Sequence, residues 1–372
     1  MMKRFVLYTN ALSAHQIPIA REIVKRIGAD NFRYIYTSKC GQKLQESKAA
    51  ESWIHYAPDG DLEGWLENAD VLLVGGIRPI DLMERRLAAG KLTLYMSERW
   101  FKPIQICRVL NLPGWVRLLV PRYWKMAKRF AKLFESPCYR FLPIGPWSLL
   151  DMKKICCIMR IGISNRQVIT WGDFVEPSKF DALPVQEANN PSARQLTHSQ
   201  LTTPNSIRVL WVGRLLNWKR VDTIIRAVGE HVNLKRVDNS LPKITLDIYG
   251  TGPDETRLKK LAAKYDDVIK FYPPVPIDEV RRLMREHDIY VLASNAYEGW
   301  GAVVSEALEE RMRVIGTYEA GASAAILPAT NLFHSGDWKT LIRKLKLGVP
   351  YVQIGEWSAK RAVNRLLHEV GI

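Results

Sequence analysis

Short apolar runs alternate with helical patterns along most of the chain. Runs of this length between amphipathic stretches are typical of α/β proteins with parallel sheets. The clearest amphipathic stretches are 221–228 and 254–265, with a further helix predicted over about 19–27. The predicted strands are 5–8, 34–36, 71–74, 92–96, 206–212, 243–249, 268–272 and 289–295.

One polar, proline-punctuated segment, 184–205, separates the strands of the first half from those of the second. Such composition is typical of an interdomain linker. We therefore predict a first domain over 1–183, a second over 206–350, and a final amphipathic helix within 351–372. A length of 372 residues suffices for two domains, and 47% hydrophobic residues exclude a disordered chain.

Two carboxylates, Glu298 and Glu306, follow the last apolar run, with Gly299 and Gly301 between them. We expect Glu298 in the loop after the strand and Glu306 about two turns into the next helix. Glycine amides at a helix start attract phosphate, and flanking carboxylates accept hydrogen bonds from sugar hydroxyls. The pattern favours a nucleotide sugar, in which a sugar, a diphosphate and a ribose follow one another. A solvated helix position for Glu306 is the alternative.

A second candidate group follows the strand 206–212. Gly213 would let a ligand approach the backbone closely. Arg214 offers a planar fork for phosphate oxygens, and Lys219 offers a point charge. The alternative is a pair of surface cations near a helix start, where the helix dipole disfavours them.

These segments together resemble the donor half of glycosyltransferase family 4. The residues that carry the resemblance are Gly213-Arg214-Leu215 with Lys219-Arg220, Ile248–Pro253, Val291–Ser294 and Glu298–Glu306. The resemblance covers about residues 205–345. It implies the α/β GT-B fold, with two Rossmann-like domains facing across a cleft and a C-terminal helix crossing back to the first domain. It also implies a retaining transferase that uses a UDP- or GDP-sugar as substrate and needs no cofactor.

The resemblance assigns roles to individual residues. Arg214 and Lys219 neutralise the donor diphosphate, and Glu298 contacts the donor sugar. Between 206 and 372 no Asp-x-Asp motif is present to hold a metal against the diphosphate. We therefore expect no metal, with protein cations stabilising the departing group. The implied donor-binding positions are Gly213, Gly250, Pro274, Gly301, Ala302, Val303 and Glu306.

Two candidates lie in the first half. His15 follows the first strand, where the family usually has a glycine pair, so a donor contact and a local role at the helix start both stay open. Glu98 follows the strand 92–96, in a region where many family members place a histidine. It could orient or deprotonate the acceptor hydroxyl. An ion pair with Arg99 or another cation is the alternative for Glu98.

Much of the formal charge of +16 lies in 99–160, which holds thirteen Lys or Arg residues against Glu135 and Asp151. Tryptophans and other apolar residues are interleaved with these cations, as in proteins that lie on anionic membranes. In the helical part, 122–134, we expect Lys125, Lys128, Arg129 and Lys132 to face that membrane. A solvated face over a domain core and a nucleic-acid surface are the alternatives, and nothing else in the chain favours nucleic acid.

The remaining features bear on location and acceptor. The five cysteines are odd in number, and the N-terminus lacks a signal-peptide core, so we expect a cytoplasmic protein associated with the inner face of the cell membrane. The apolar stretch near 109–120 is too short and too charged to span a bilayer.

We expect a glycan acceptor, lipid-linked, in capsule, O-antigen or exopolysaccharide synthesis. This acceptor class extends the resemblance, because the segment around Glu98 is similar to transferases of bacterial surface-polysaccharide clusters. Two alternatives remain. One is a nucleotide-sugar epimerase of the same fold, and the other is a catalytically inactive glycan- or membrane-binding protein.

Overall fold

The computed structural model describes residues 3–38, 51–60, 62–101, 114–178 and 206–372. Contacts divide the chain into two compact units: Met1–Glu176 with Gly355–Ile372, and Pro177–Ile354. The predicted linker, 184–205, lies outside the described residues.

The first unit is built on a six-stranded parallel sheet in the order β3-β2-β1-β4-β5-β6. Its strands are β1 Phe5–Ala11, β2 Phe32–Ser38, β3 Ile54–Tyr56, β4 Val71–Gly75, β5 Leu92–Ser97 and β6 Tyr139–Pro143. Its helices are α1 Ile17–Ile27, α2 Glu63–Asn68, α3 Ile80–Ala88, α4 Pro121–Lys132, α5 Pro146–Ile158 and α12 Ala359–Val370.

Alternate residues of β1 supply two hydrophobic layers, one on each face of this sheet. Phe5 and Leu7 pack in one layer with α1 and α12, whereas Val6 packs in the other with Phe130 of α4. The last helix of the chain therefore belongs to the core of the first unit, as the resemblance to GT-B transferases implies.

The second unit repeats the plan with a parallel sheet in the order β12-β11-β10-β7-β8-β9. Its strands are β7 Ser206–Val212, β8 Lys243–Tyr249, β9 Ile269–Tyr272, β10 Ile289–Leu292, β11 Arg313–Thr317 and β12 Leu332–Phe333. Its helices are α6 Val221–Val237, α7 Glu255–Ala262, α8 Ile277–Glu286, α9 Val303–Glu309, α10 Gly321–Ile326 and α11 Trp338–Leu347.

Both sheets reverse their strand order at one place, between β1 and β4 in the first and between β7 and β10 in the second. In open α/β sheets, ligands bind outside the carboxyl ends of the strands at such a switch point. Each unit therefore has one topologically defined place for a ligand. Arg214 lies just after β7, Glu298 lies in the loop between β10 and α9, and Glu98 follows β5.

Candidate functional site

Lys219 and Glu298 form an ion pair at the switch point of the second unit. The Lys219 ammonium Nζ lies 2.6 Å from Oε2 of Glu298, and the Ser294 hydroxyl donates to the same oxygen at 2.7 Å. The two charged side chains are only 18% and 9% exposed. Within the described part of the chain, Oε1 of Glu298 accepts no hydrogen bond. The carboxylate is thus held by one oxygen and offers the other to a ligand hydroxyl.

Backbone contacts fix the loop that carries Glu298. The Asn295 amide donates to the carbonyl of Trp218 at 3.0 Å, which joins this loop to the one bearing Lys219. The Thr317 hydroxyl donates to the carbonyl of Ser294 at 2.6 Å. The Gly321 amide donates to the carbonyl of Gly299 at 3.0 Å. The loop therefore holds the carboxylate in place before any ligand arrives.

Gly213 and Gly250 end the neighbouring strands β7 and β8 with φ angles of 153° and 147°. A Cβ atom on residue 250 would lie 1.8 Å from the carbonyl oxygen of Gly213. From the sequence, Gly213 was expected to let a ligand approach the backbone. At position 250 the structure requires glycine for another reason, because the end of β8 lies against the end of β7. Arg214 extends from this junction as an exposed side chain.

Glu306 is the fourth residue of α9 and lies in its first turn. The expectation that it lies about two turns into the helix is wrong, because α9 begins only at Val303. Burial raises the pKa of Tyr290 well above 10, and the negative charges of Glu298 and Glu306 raise it further. The negative charges of Glu298 and Glu306 both reach this buried phenol of β10. The two carboxylates therefore lie in the same part of the second unit.

Three backbone amides lead into α9. Those of Gly301, Ala302 and Val303 donate to no acceptor among the described residues. Gly301 has a φ of 85°, which favours glycine. Because α9 is only seven residues long, any attraction for phosphate comes from these amides rather than from a helix macrodipole.

Pro274 lies exposed in the loop after β9. Two positions before it, Tyr272 stacks on Tyr249 of β8, with ring centroids 4.5 Å apart and planes 14° from parallel. The sequence analysis did not identify this aromatic pair, because the two residues belong to strands that pair only in the folded sheet.

A cavity of about 510 Å³ opens in the first unit at the carboxyl ends of β1, β4 and β5. Glu98 lines it, as does the almost fully buried Gln16. His15 does not line it; its amide donates to the Ser13 hydroxyl at 3.3 Å and its carbonyl accepts from the Phe174 amide at 3.4 Å. The sequence analysis missed two other lining residues, Arg78 and Arg117, because no motif marks them.

The basic segment 99–160 is only partly a surface. Trp100 and Phe101 are buried in the core at 1% and 5% exposure, so they cannot contact a membrane. Arg129 is paired with Asp81 and with Glu84, whose carboxylate lies 2.6 Å from its Nη2 atom. Two protein carboxylates therefore already balance the charge of Arg129, and its contact with a membrane stays a prediction. Residues 102–113 lie outside the described residues.

What remains exposed is a compact group that we call the basic aromatic surface. Its apolar members are 40–74% exposed. Its cations lie on the outer face of α4 and pair with no described carboxylate. The members are Trp115, Leu119, Val120, Trp124, Lys125, Lys128 and Lys132.

The described residues form neither a cluster of metal ligands nor a membrane-spanning helix. Among the described residues, no three His, Cys, Asp or Glu side chains converge as they would around an ion. In the sequence Asp59-Gly60-Asp61, Asp59 is exposed on the first unit and Asp61 lies outside the described residues. None of the helices described has the length and apolar character needed to cross a bilayer.

The described cysteines are unpaired. Cys156 is buried, which raises the pKa of its thiol to about 12, whereas the adjacent Cys157 is exposed. Cys138 is half-buried. Cys40 and Cys107 lie outside the described residues.

Comparison with known sequences gives consistent matches. The family model described as glycosyl transferases group 1 matches residues 194–347. A D-inositol 3-phosphate glycosyltransferase of Pseudarthrobacter chlorophenolicus is 30% identical over 309 residues, covering 79% of this chain and 72% of that protein. An uncharacterized glycosyltransferase of Methanocaldococcus jannaschii, MJ1069, is 30% identical over 128 residues, and the match spans 31% of its length.

Solved structures match over nearly the whole chain. The lipopolysaccharide outer core galactosyltransferase WaaB aligns with a TM-score of 0.63 at 15% identity, covering 99% of each chain. Anabaena HepE in complex with UDP aligns with a TM-score of 0.59 at 14% identity, covering 100% of this chain and 95% of that one. At these identities the likeness shows the fold alone. It confirms the predicted α/β fold of the GT-B type.

Proposed function

This chain belongs to the glycosyl transferases of group 1, and we propose that it transfers a sugar from a nucleotide sugar to a glycan acceptor with retention of configuration. The observation that carries the proposal is the Lys219–Glu298 pair, in which one carboxylate oxygen stays open to a ligand hydroxyl. A fixed acceptor of this kind beside unpaired backbone amides suits a ligand that carries both hydroxyls and phosphates.

In the proposed donor site, Arg214 and Lys219 bind the diphosphate, Glu298 binds the sugar and Glu306 binds the ribose. An ammonium group has three donors, so Lys219 can keep its contact with Glu298 and still donate to a phosphate oxygen. Charge-assisted contacts of this type are about twice as strong as neutral hydrogen bonds. The donor is a UDP- or GDP-sugar, and UDP is the nucleotide present in the HepE structure.

The transfer step needs no metal in this proposal. The acceptor hydroxyl oxygen forms a bond to the anomeric carbon on the face from which the diphosphate leaves, while the bond from that carbon to the phosphate oxygen breaks. The hydroxyl proton passes to an oxygen of the departing nucleoside diphosphate. Arg214, Lys219 and the amides of 301–303 stabilise the charge that grows on that group.

We place the acceptor, a lipid-linked glycan, at the inner face of the cell membrane, in surface-polysaccharide synthesis. The support is the basic aromatic surface, whose exposed tryptophans and lysines match the interfacial and headgroup regions of an anionic bilayer. WaaB, which shares the fold, is named for the lipopolysaccharide outer core.

Titration calorimetry with UDP and GDP tests the donor site. Wild type should bind one of the two, and Arg214→Ala should bind it roughly tenfold more weakly or worse, because a charge-assisted contact is lost. Arg236→Ala is the matched control, since Arg236 is exposed at the end of α6 in the same unit and forms no ion pair with a described residue. Equal binding by the Arg214 variant and wild type would show that the diphosphate lies elsewhere.

A further inference from the structure

The cavity of the first unit is strongly positive for its size. Its lining includes three arginines, Arg78, Arg99 and Arg117, but only one carboxylate, Glu98. The lining therefore carries two positive charges in excess, three against one. Such an excess in a concave site raises the local concentration of anions.

Two of these guanidinium groups have no carboxylate partner in the described part of the chain. Arg78 lies over the ring of Trp100, 4.5 Å from its centroid, and donates to the weak acceptor Sδ of Met126 at 3.3 Å. It also hydrogen-bonds to the buried phenol of Tyr95. Arg117 donates to the Trp100 carbonyl and to the Tyr123 hydroxyl, both at 3.3 Å. Both cations are thus held by neutral groups, and no carboxylate among the described residues balances their charge.

The third arginine, Arg99, has a carboxylate nearby. Arg99 faces the buried carboxylate of Asp151 across 3.8 Å, which is too long for a hydrogen bond. The same oxygen of Asp151 already accepts from the Phe101 amide at 2.9 Å. Asp151 thus balances part of the charge of Arg99, and the two cavity arginines without a described carboxylate partner are Arg78 and Arg117.

A buried amide adds a second requirement. Gln16 lines the cavity at the start of α1 and is only 5% exposed, yet its Oε1 atom has no hydrogen-bond partner among the described residues. Buried polar atoms are nearly always paired in folded proteins. An unpaired acceptor of this kind, at the wall of a cavity, is suited to a ligand hydroxyl.

We propose that this cavity binds an acceptor sugar that carries a phosphate or carboxylate group, with Arg78 and Arg117 holding the anion and Gln16 accepting from a sugar hydroxyl. The inference rests on the proposed function and narrows it, because it makes the acceptor anionic at the sugar itself. A guanidinium fork is suited to either anion, since both present two oxygens in a plane.

Calorimetric titration with small sugars tests this assignment, with UDP or GDP present at saturation to occupy the donor site. Glucose 6-phosphate supplies the phosphate, glucuronate the carboxylate, and glucose the neutral control. We expect one anionic sugar to bind and glucose to show no measurable binding. Arg78→Gln and Arg117→Gln should each weaken that binding roughly tenfold or more, whereas Arg78→Lys and Arg117→Lys should restore part of it.

The nucleotide titration separates the two possible failures. If UDP and GDP both fail to bind, the proposed function fails first. If the nucleotide binds normally and glucose binds as well as the anionic sugars, or if neither anionic sugar binds, the anionic-acceptor inference is overturned. It is likewise overturned if Arg78→Gln and Arg117→Gln bind the anionic sugar as tightly as wild type, with nucleotide binding as evidence that they are folded.

Discussion

The Lys219–Glu298 contact links two residues that the sequence had assigned to different parts of one ligand. Lys219 was predicted for the diphosphate and Glu298 for the sugar, and the structure brings the two side chains within 2.6 Å of each other. The pairing was not predictable, since the two residues are 79 positions apart and meet only because β7 and β10 are neighbours in the sheet.

Removing Lys219 should show how much free energy it costs to bury the Glu298 carboxylate without its cation. In Lys219→Met the Glu298 carboxylate keeps only the Ser294 hydroxyl, so the free energy of unfolding should fall by about 1–3 kcal/mol. Glu298→Gln should cost less, because a neutral amide is easier to bury than an unpaired carboxylate. Urea unfolding of both single variants and the double variant gives the coupling energy. A coupling near zero would show that the pair does not form in solution.

Gly250 permits a second test at the residue scale. Gly250→Ala would place a Cβ atom 1.8 Å from the carbonyl of Gly213, so one of the two strand ends must move. We expect a loss of about 1–3 kcal/mol or more in unfolding free energy, together with weaker nucleotide binding. Gly64→Ala in α2 is the control, because its Cβ would meet no atom within 4 Å. Equal melting temperatures for wild type and Gly250→Ala would contradict the strand-end geometry.

The residues of the first-unit cavity show the limit of sequence reasoning. Arg78, Gln16 and Arg117 belong to no motif and come from three separate segments of the chain. Only the sheet topology brings these residues together, and that topology cannot be derived from a single sequence. Glu98 was predicted from its place after a strand, and the structure puts it on the wall of the cavity without testing its role.

At the scale of elements, the predictable strands were those with continuous apolar runs. The predicted strand at 206–212 matches β7 in full. The missed strands include β3 and β12, which have three and two residues, and β6, which contains Arg140 and ends in Pro143. Such short or mixed strands have too few apolar positions for their period to be recognised.

Helix α4 shows why an amphipathic pattern overestimates the number of residues that are available to bind a partner at the surface. Its buried side, with Ala127 and Phe130, packs in the core, and Arg129 pairs with acidic residues of α3. The period of the helix identified both faces, but it could not show that one cation already had protein partners. The alternative of a solvated face over a domain core is thus right in one part: the apolar side of α4 packs against the core.

The remaining cations support a prediction about membranes. Each lysine near an anionic leaflet contributes about 1 kcal/mol, so changing Lys125, Lys128 and Lys132 to Gln should weaken binding to anionic liposomes by about a hundredfold. The same change at Lys260, Lys264 and Lys270, which are exposed on the second unit, should have little effect. Co-sedimentation at low and raised salt measures both. If wild type ignores anionic liposomes, the membrane assignment is wrong.

Arg129→Gln separates membrane binding from folding. Because Arg129 is held by Asp81 and Glu84, we expect this variant to bind anionic liposomes like wild type and to melt at a lower temperature. Loss of liposome binding without loss of stability would show that Arg129 contacts the membrane.

At the scale of the whole molecule, the two sheets share one strand order. The second sheet has Arg214 and the loop of Glu298 at its reversal point, whereas the cavity of the first sheet extends from its reversal point to the end of β5, where Glu98 lies. The alternation of strands and helices predicted the α/β class, and the resemblance of the second half predicted the fold type. Apolar periodicity alone could not have given the strand order, since every strand of a parallel sheet is apolar on both faces.

The central claim is retaining, metal-independent transfer from a nucleotide sugar. The most direct measurement follows a panel of UDP- and GDP-sugars by proton NMR, in EDTA and without added acceptor. We expect slow release of nucleoside diphosphate from one donor, with the free sugar first appearing in the donor's own anomeric configuration, and loss of this release in Glu298→Gln. An interconverted sugar still attached to its nucleotide, an inverted product, a strict need for Mg²⁺ or Mn²⁺, or no turnover of any donor would contradict it.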